Sequence, residues 1–152
     1  MKKLYGLIVI CYCWIGVLQA QTPQKPGWIW GASAGWQYQS GNFVKLSGWG
    51  LFAPNDDQYI KFNAGANLTW MQNKTTVIPE LGITYYLRNS LIFPFLQAEV
   101  TPYTITPKAG ISILSLVDLG IGYGFDLHTK NNFKALKGLT GSITLNIPFN
   151  FY

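Results

Sequence analysis

From Leu139 to Phe151 the odd positions read Leu, Gly, Ile, Leu, Ile, Phe and Phe, while the even positions through Tyr152 read Thr, Ser, Thr, Asn, Pro, Asn and Tyr. A period of two sends successive side chains to opposite faces of a β-strand and fits no helix. The same alternation recurs along the chain between turn signals. It predicts strands over residues 27–39, 43–53, 59–72, 76–87, 91–100, 104–113 and 118–127, and a last one after the long connection 128–137. The intervening turns are Ser40-Gly41-Asn42, Pro54-Asn55-Asp56-Asp57, Asn73-Lys74, Arg88-Asn89-Ser90, Thr101-Pro102-Tyr103 and Ser115-Leu116-Val117.

The two faces differ in kind. In the third segment Ile60, Phe62, Ala64, Ala66, Leu68 and Trp70 oppose Tyr59, Lys61, Asn63, Gly65, Asn67 and Thr69. In the seventh, Leu119, Ile121, Tyr123, Phe125 and Leu127 oppose Asp118, Gly120, Gly122, Gly124 and Asp126. A barrel in water would turn the bulky face inward and carry charges freely outside. Here the polar face is small, with few ions, which fits a lumen, and the bulky face fits lipid. Closure leaves no strand edge open in hydrocarbon. Segments of ten or more residues match the ~9–11 tilted residues that cross a bilayer core. The expected fold is therefore all-β, an eight-stranded antiparallel up-and-down transmembrane β-barrel with both termini on the periplasmic side.

Aromatic positions agree. Trp28 and Trp30 open the first strand, Trp36 and Tyr38 close it with the same parity, and Trp70 lies near the end of the third. Ten residues at ~3.3 Å each, tilted by roughly 40°, separate two interfacial girdles by about 25 Å. Aromatics that merely filled a β core would not cluster at strand ends. Four prolines, Pro79, Pro94, Pro107 and Pro148, fall inside predicted strands and run against the scheme, because each removes a ladder donor; bulges or strand-end positions would accommodate them.

Composition adds a destination. Met1-Lys2-Lys3 is basic, residues 4–18 are almost wholly apolar, and Gln19-Ala20-Gln21 offers a small-residue cleavage site, the pattern of a secretory signal peptide. Residues 1–20 are expected to be removed and residues 21–152 to form the barrel domain. Cys11 and Cys13 leave with the signal, which excludes disulfides and cysteine chemistry from the mature chain. Of 11 Lys and Arg, Lys2 and Lys3 also leave, so nine face six acidic residues, a net charge of +3. That balance does not indicate a nucleic-acid partner. No later apolar run reaches the ~18 residues of a spanning helix.

With these strands and the ending Ile147-Pro148-Phe149-Asn150-Phe151-Tyr152, the chain resembles small eight-stranded bacterial outer-membrane β-barrel proteins. The ending is similar to the C-terminal signal read by the barrel-assembly machinery, with Ile147, Phe149 and Phe151 of outward parity and Tyr152 one residue beyond. The Ala20-Gln21 context is similar to that of exported Bacteroidetes proteins. The resemblance implies the outer membrane of a Gram-negative bacterium and contacts with its lipid, lipopolysaccharide included. It also implies the assembly machinery as a partner during biogenesis.

Inward parity collects Lys45, Lys61, Glu80, Arg88, Glu99, Lys108 and Asp126. Unpaired ions in a narrow lumen are costly, so pairing is expected, and folding about Pro102 sets Glu99 nearly opposite Lys108. Either these charges form an ion path or they form a salt-bridged plug. The plug is favoured, since eight strands leave an interior only wide enough for side chains. Gly120, Gly122 and Gly124 precede no helix, which argues against a nucleotide loop; they are expected to make room for Trp49, Tyr86, Phe93 and Phe95. At the outer rim, His128, Asp126 and Ser40 are the residues a lipid-modifying acyl enzyme of similar architecture would use, but no motif links them. One histidine and no mature cysteine supply no usual metal set, and no cofactor is expected. The connection 128–137 carries Lys130, Lys134 and Lys137, able to meet lipopolysaccharide phosphates or an acidic partner. The tripeptides Asn67-Leu68-Thr69 and Asn73-Lys74-Thr75 match a glycosylation acceptor by chance. The leading expectation is a non-enzymatic barrel acting as a structural, adhesive or accessory subunit, with a membrane-protein partner. A narrow pore comes second and an acyl enzyme third.

Overall fold

A computed structural model describes residues 28–55, 58–70, 74–87, 91–127 and 137–149. They form β1 (Trp28–Gln39), β2 (Asn42–Asn55), β3 (Gln58–Thr69), β4 (Thr76–Tyr86), β5 (Ile92–Val100), β6 (Thr104–Ile113), β7 (Val117–Asp126) and β8 (Gly138–Pro148). Each strand pairs antiparallel with its sequence neighbour, and β1 pairs with β8 from Gly31↔Pro148 to Gln39↔Thr140, closing an eight-stranded barrel. Strand ends fall within three residues of those expected. Two turns differ. The second strand runs through Pro54 to Asn55, with its register shifting between Phe52 and Asn55. The β6–β7 turn centres on Leu114 and Ser115, at φ 55° and 59°, one residue before the expected start.

The wall inverts the usual rule that apolar side chains go inside. Buried positions are mostly polar, with Thr84 and Ser112 fully enclosed, while Leu139 is 76% and Ile121 70% exposed. Parity explains it. In β3, Lys61, Asn63, Asn67 and Thr69 are buried and Phe62 and Ala64 exposed; in β8, Thr140 and Asn146 are buried and Leu139, Ile143, Leu145 and Ile147 exposed. Neither strand carries a charge on its outward face.

Hydrogen-bond direction accounts for the prolines. Alternate residues of a strand address the same neighbour. The Leu87 N–H donates to Pro94 O at 3.1 Å, so odd residues of β4 address β5. Pro79 is odd and lies beyond Leu81, where the β5 pairing ends. Pro94 itself closes that ladder at its other end. The Leu127 N–H donates to Tyr103 O, so odd residues of β6 address β7, and the β6–β7 register skips Thr106 and Pro107. The Asn146 N–H donates to Leu116 O, so Pro148 faces past the end of β7, whose last partner in β8 is Leu145. Three prolines stand where a ladder stops and one where it breaks, and none needs a classic bulge.

Candidate functional site

Six charged side chains of the described strands, Lys45, Lys61, Glu80, Glu99, Lys108 and Asp118, enter the lumen in two tiers. The upper tier lies toward the Ser40–Gly41 turn, the loop end of the barrel. Lys45 Nζ sits 2.8 Å from Glu80 Oε1 and also pairs with Glu99 Oε1. Lys108 Nζ reaches Glu99 Oε2 at 2.6 Å. Both ammonium groups donate to Gln37 Oε1, at 3.0 and 2.6 Å, and Asn67 Nδ2 donates to Glu80 Oε2 at 2.6 Å. Four strands besides β1 and β3 thus meet through two lysines and two glutamates.

The lower tier is built on Asp118. Its Oδ2 accepts from Lys61 Nζ at 2.8 Å, Asn146 Nδ2 at 2.8 Å and Tyr86 Oη at 2.9 Å, and its Oδ1 accepts from Ser112 Oγ at 2.5 Å. Lys61 also donates to Asn146 Oδ1 at 3.1 Å and lies 5.4 Å from the centre of the Tyr86 ring. Tyr86 packs edge-on against Phe93 and Phe95, with Leu51 and Tyr59 alongside.

Three lysines and three carboxylates therefore cancel within the described lumen. Between the tiers, the Trp49 ring lies where a Cβ on Gly31 would come within 2.3 Å of it, and Phe95 where a Cβ on Gly110 would come within 2.8 Å. Glycine is what allows each ring to fit. Gly120 meets Phe95 less tightly, at 3.4 Å, and Gly122 faces the Lys108 side chain. The room for Trp49 thus comes from Gly31 on β1, not from the glycine run of β7. Trp49 Nε1, Asn63 Oδ1 and Thr84 Oγ1 have no hydrogen-bond partner among the described residues.

Of the charges expected inside, Lys45, Lys61, Glu80, Glu99 and Lys108 are buried and paired. Asp126 is a correction. It has inward parity but is exposed, at the last position of β7, two residues beyond Gly124, where the pairing with β8 ends. Arg88 lies outside the described residues. Asp118, placed on the polar face of the seventh segment but not among the charges expected to pair inside, is the centre of the lower tier; its place at the start of a Gly-lined strand face was a usable signal. Glu99 and Lys108 pair diagonally, because Lys108 is in register with Gln97 and Glu99 with Thr106.

Trp28 and Trp30 are exposed at one end, and Trp36, Tyr38 and Trp70 at the other. Trp28 stacks on Trp30 with ring centres 5.6 Å apart, and Phe52 and Phe62 extend the cluster. Ile147 and Phe149 are exposed outside; Phe151 and Tyr152 lie outside the described residues. Ser40 Oγ donates to the Lys137 carbonyl at 2.7 Å, and Lys137 is exposed. His128, Lys130 and Lys134 lie outside the described residues, as do residues 1–20. No group of three or more His, Cys, Asp or Glu able to hold a metal ion occurs among the described residues.

No protein-family model and no curated protein matches the chain. Among solved structures, it is similar to a chain from work titled "De novo design of transmembrane beta-barrels". The two share 18% sequence identity and superpose with a TM-score of 0.43, over 83% of this chain and 100% of that one.

Proposed function

We propose that this chain is an integral barrel of the Gram-negative outer membrane that catalyses nothing and passes no solute. It serves as a structural, adhesive or accessory subunit contacting another membrane component. One observation carries the membrane reading: the wall is apolar outside and hydrogen-bonded inside. Large apolar side chains are exposed on every strand, Leu81, Ile121, Leu139 and Leu145 among them, whereas water-soluble monomers rarely expose contiguous apolar patches larger than a few hundred Å². A secretory signal at residues 1–20 supplies export, and the ending around Phe149 supplies recognition by the assembly machinery.

The lumen supports the closed state. Its ions are cross-paired, and the space bounded by Gln37, Asn67, Glu80 and Thr106 measures about 10 Å³, about one water molecule. Ser40 is engaged with a carbonyl in a left-handed turn, which weighs against its use as a nucleophile. Exposed Lys137 fits a solvated or lipopolysaccharide-facing loop end.

Fractionation and conductance test this reading together. The protein is expected to resist alkaline carbonate extraction, to show heat-modifiable gel mobility, and to give no stable conductance in planar bilayers. Release by carbonate would overturn the membrane assignment. Reproducible channels abolished by Lys108→Ala would replace the closed scaffold with a pore.

A further inference from the structure

The eight seams of the wall are unequal. Among the described residues, β4 and β5 are joined by six residue pairs, Leu81↔Val100 to Tyr86↔Phe95, whereas every other seam has eight to eleven. Proline bounds this seam at both ends. Pro79 has no N–H to offer on the β5 side, and Pro94 accepts from Leu87 without donating back.

Its inner surface is held indirectly. Among the described residues, β4 and β5 share no side-chain hydrogen bond: Glu80 bonds to Asn67 and Lys45, Tyr86 to Asp118, and Glu99 to Lys45 and Lys108. Glu80 and Glu99 stand on opposite sides of the seam with like charge, and Lys45, reaching across from β2, pairs with both. At the lower end ring contacts of Tyr86 with Phe93 and Phe95 cross it. Thr84, in register with Gln97 in mid-seam, is fully buried with its hydroxyl unpartnered.

We propose that the β4–β5 seam is where the barrel wall parts, and that Lys45 is the strap holding it shut from across the lumen. Withdrawing the ammonium group leaves Lys108 beside Glu99 but no cation shared with Glu80, so the attraction that joins the two strands is lost and the carboxylates' repulsion separates them from the loop end. The aromatic cluster at the other end acts as the hinge. The proposal rests on the ladder and the ion pairs and is independent of what the barrel contacts.

The test uses the protein folded in lipid vesicles, with Cys11 and Cys13 replaced by serine. Thr84→Cys is compared with Thr140→Cys, an equally buried threonine of β8, by labelling with a small methanethiosulfonate. Thr84→Cys should label about tenfold faster or more, as expected where local opening differs between segments. Adding Lys45→Met should accelerate Thr84→Cys further and leave Thr140→Cys unchanged. Equal rates in the parent, or equal acceleration of both sites by Lys45→Met, would overturn the proposal. Should Lys45→Met not fold, hydrogen exchange of the unsubstituted protein decides. The Ile83 and Tyr85 amides, which address β5, should exchange about tenfold faster than the β1–β2 amides, and uniform exchange would overturn it.

Discussion

Replacing Asp118 with asparagine changes one atom in the lower lumen yet should cost more stability than removing any single apolar side chain from the outer wall. The carboxylate accepts four hydrogen bonds, from Lys61, Asn146, Tyr86 and Ser112. An asparagine side chain in its place would present one NH₂ toward a cluster of donors. It would also leave the Lys61 ammonium, on a residue 5% exposed, without a counter-ion. At the Nζ–Oδ2 separation of 2.8 Å the gross attraction is about 6 kcal/mol for an effective dielectric constant of about 20. Desolvation of both ions offsets part of this, and removing one partner of a buried pair typically costs about 3–5 kcal/mol. We therefore expect Asp118→Asn to lower unfolding stability by about 3 kcal/mol or more. Removing both charges, in Lys61→Met with Asp118→Leu, should recover most of that loss, because no charge is then stranded. The assay is reversible urea unfolding in lipid vesicles followed by tryptophan fluorescence. A loss below about 1 kcal/mol for Asp118→Asn, or a double variant worse than the single, would refute the hub argument.

The wall and its turns carry three further expectations. Leu145→Arg places a cation on the lipid face and should cost roughly 2–4 kcal/mol, whereas Thr144→Arg points into the lumen and should fold better; equal heat-modifiable folding of the two would sink the face assignment. In whole cells, Lys137→Cys should react with an impermeant maleimide and Ser115→Cys, at the opposite end, should not; the reverse pattern would invert the barrel. Leu114 and Ser115 both hold positive φ in a two-residue hairpin that favours Asn-Gly, so Leu114→Asn with Ser115→Gly should stabilise by about 1 kcal/mol, and a lower urea midpoint would count against that reading.

How much of this was legible in the sequence depends on what each feature requires. Face assignment needs only parity, a local property, so alternation in 59–69 and 139–149 sufficed to put Lys61 and Asn146 inside and Phe62 and Leu145 outside. Strand ends could be read from turn residues for the same reason. Height along the barrel is not local. Asp118 and Asp126 share a strand and a parity, yet the first is the centre of a buried network and the second is exposed. What separates them is how far the neighbouring strands extend, which depends on the stagger accumulated around the ring.

The partners of Lys45 are hidden from the sequence by the same limit. Nothing near it in the chain predicts Glu80 and Glu99, 35 and 54 residues away, because cross-lumen pairing depends on ring closure and stagger together. Once both are set, one lysine serves two carboxylates on different strands, and those strands form the shortest ladder among the described residues. Parity dictates that the charges be inside, where each must find a counter-charge. Pro79 offers no N–H beyond the upper end of the β4–β5 ladder, and there Glu80 and Glu99 are joined through Lys45 from across the lumen. On the reading proposed above, a barrel closed in this way resists axial passage, since paired ions occupy its lumen, and yields first at its side, since one ammonium group joins the carboxylates of β4 and β5 there.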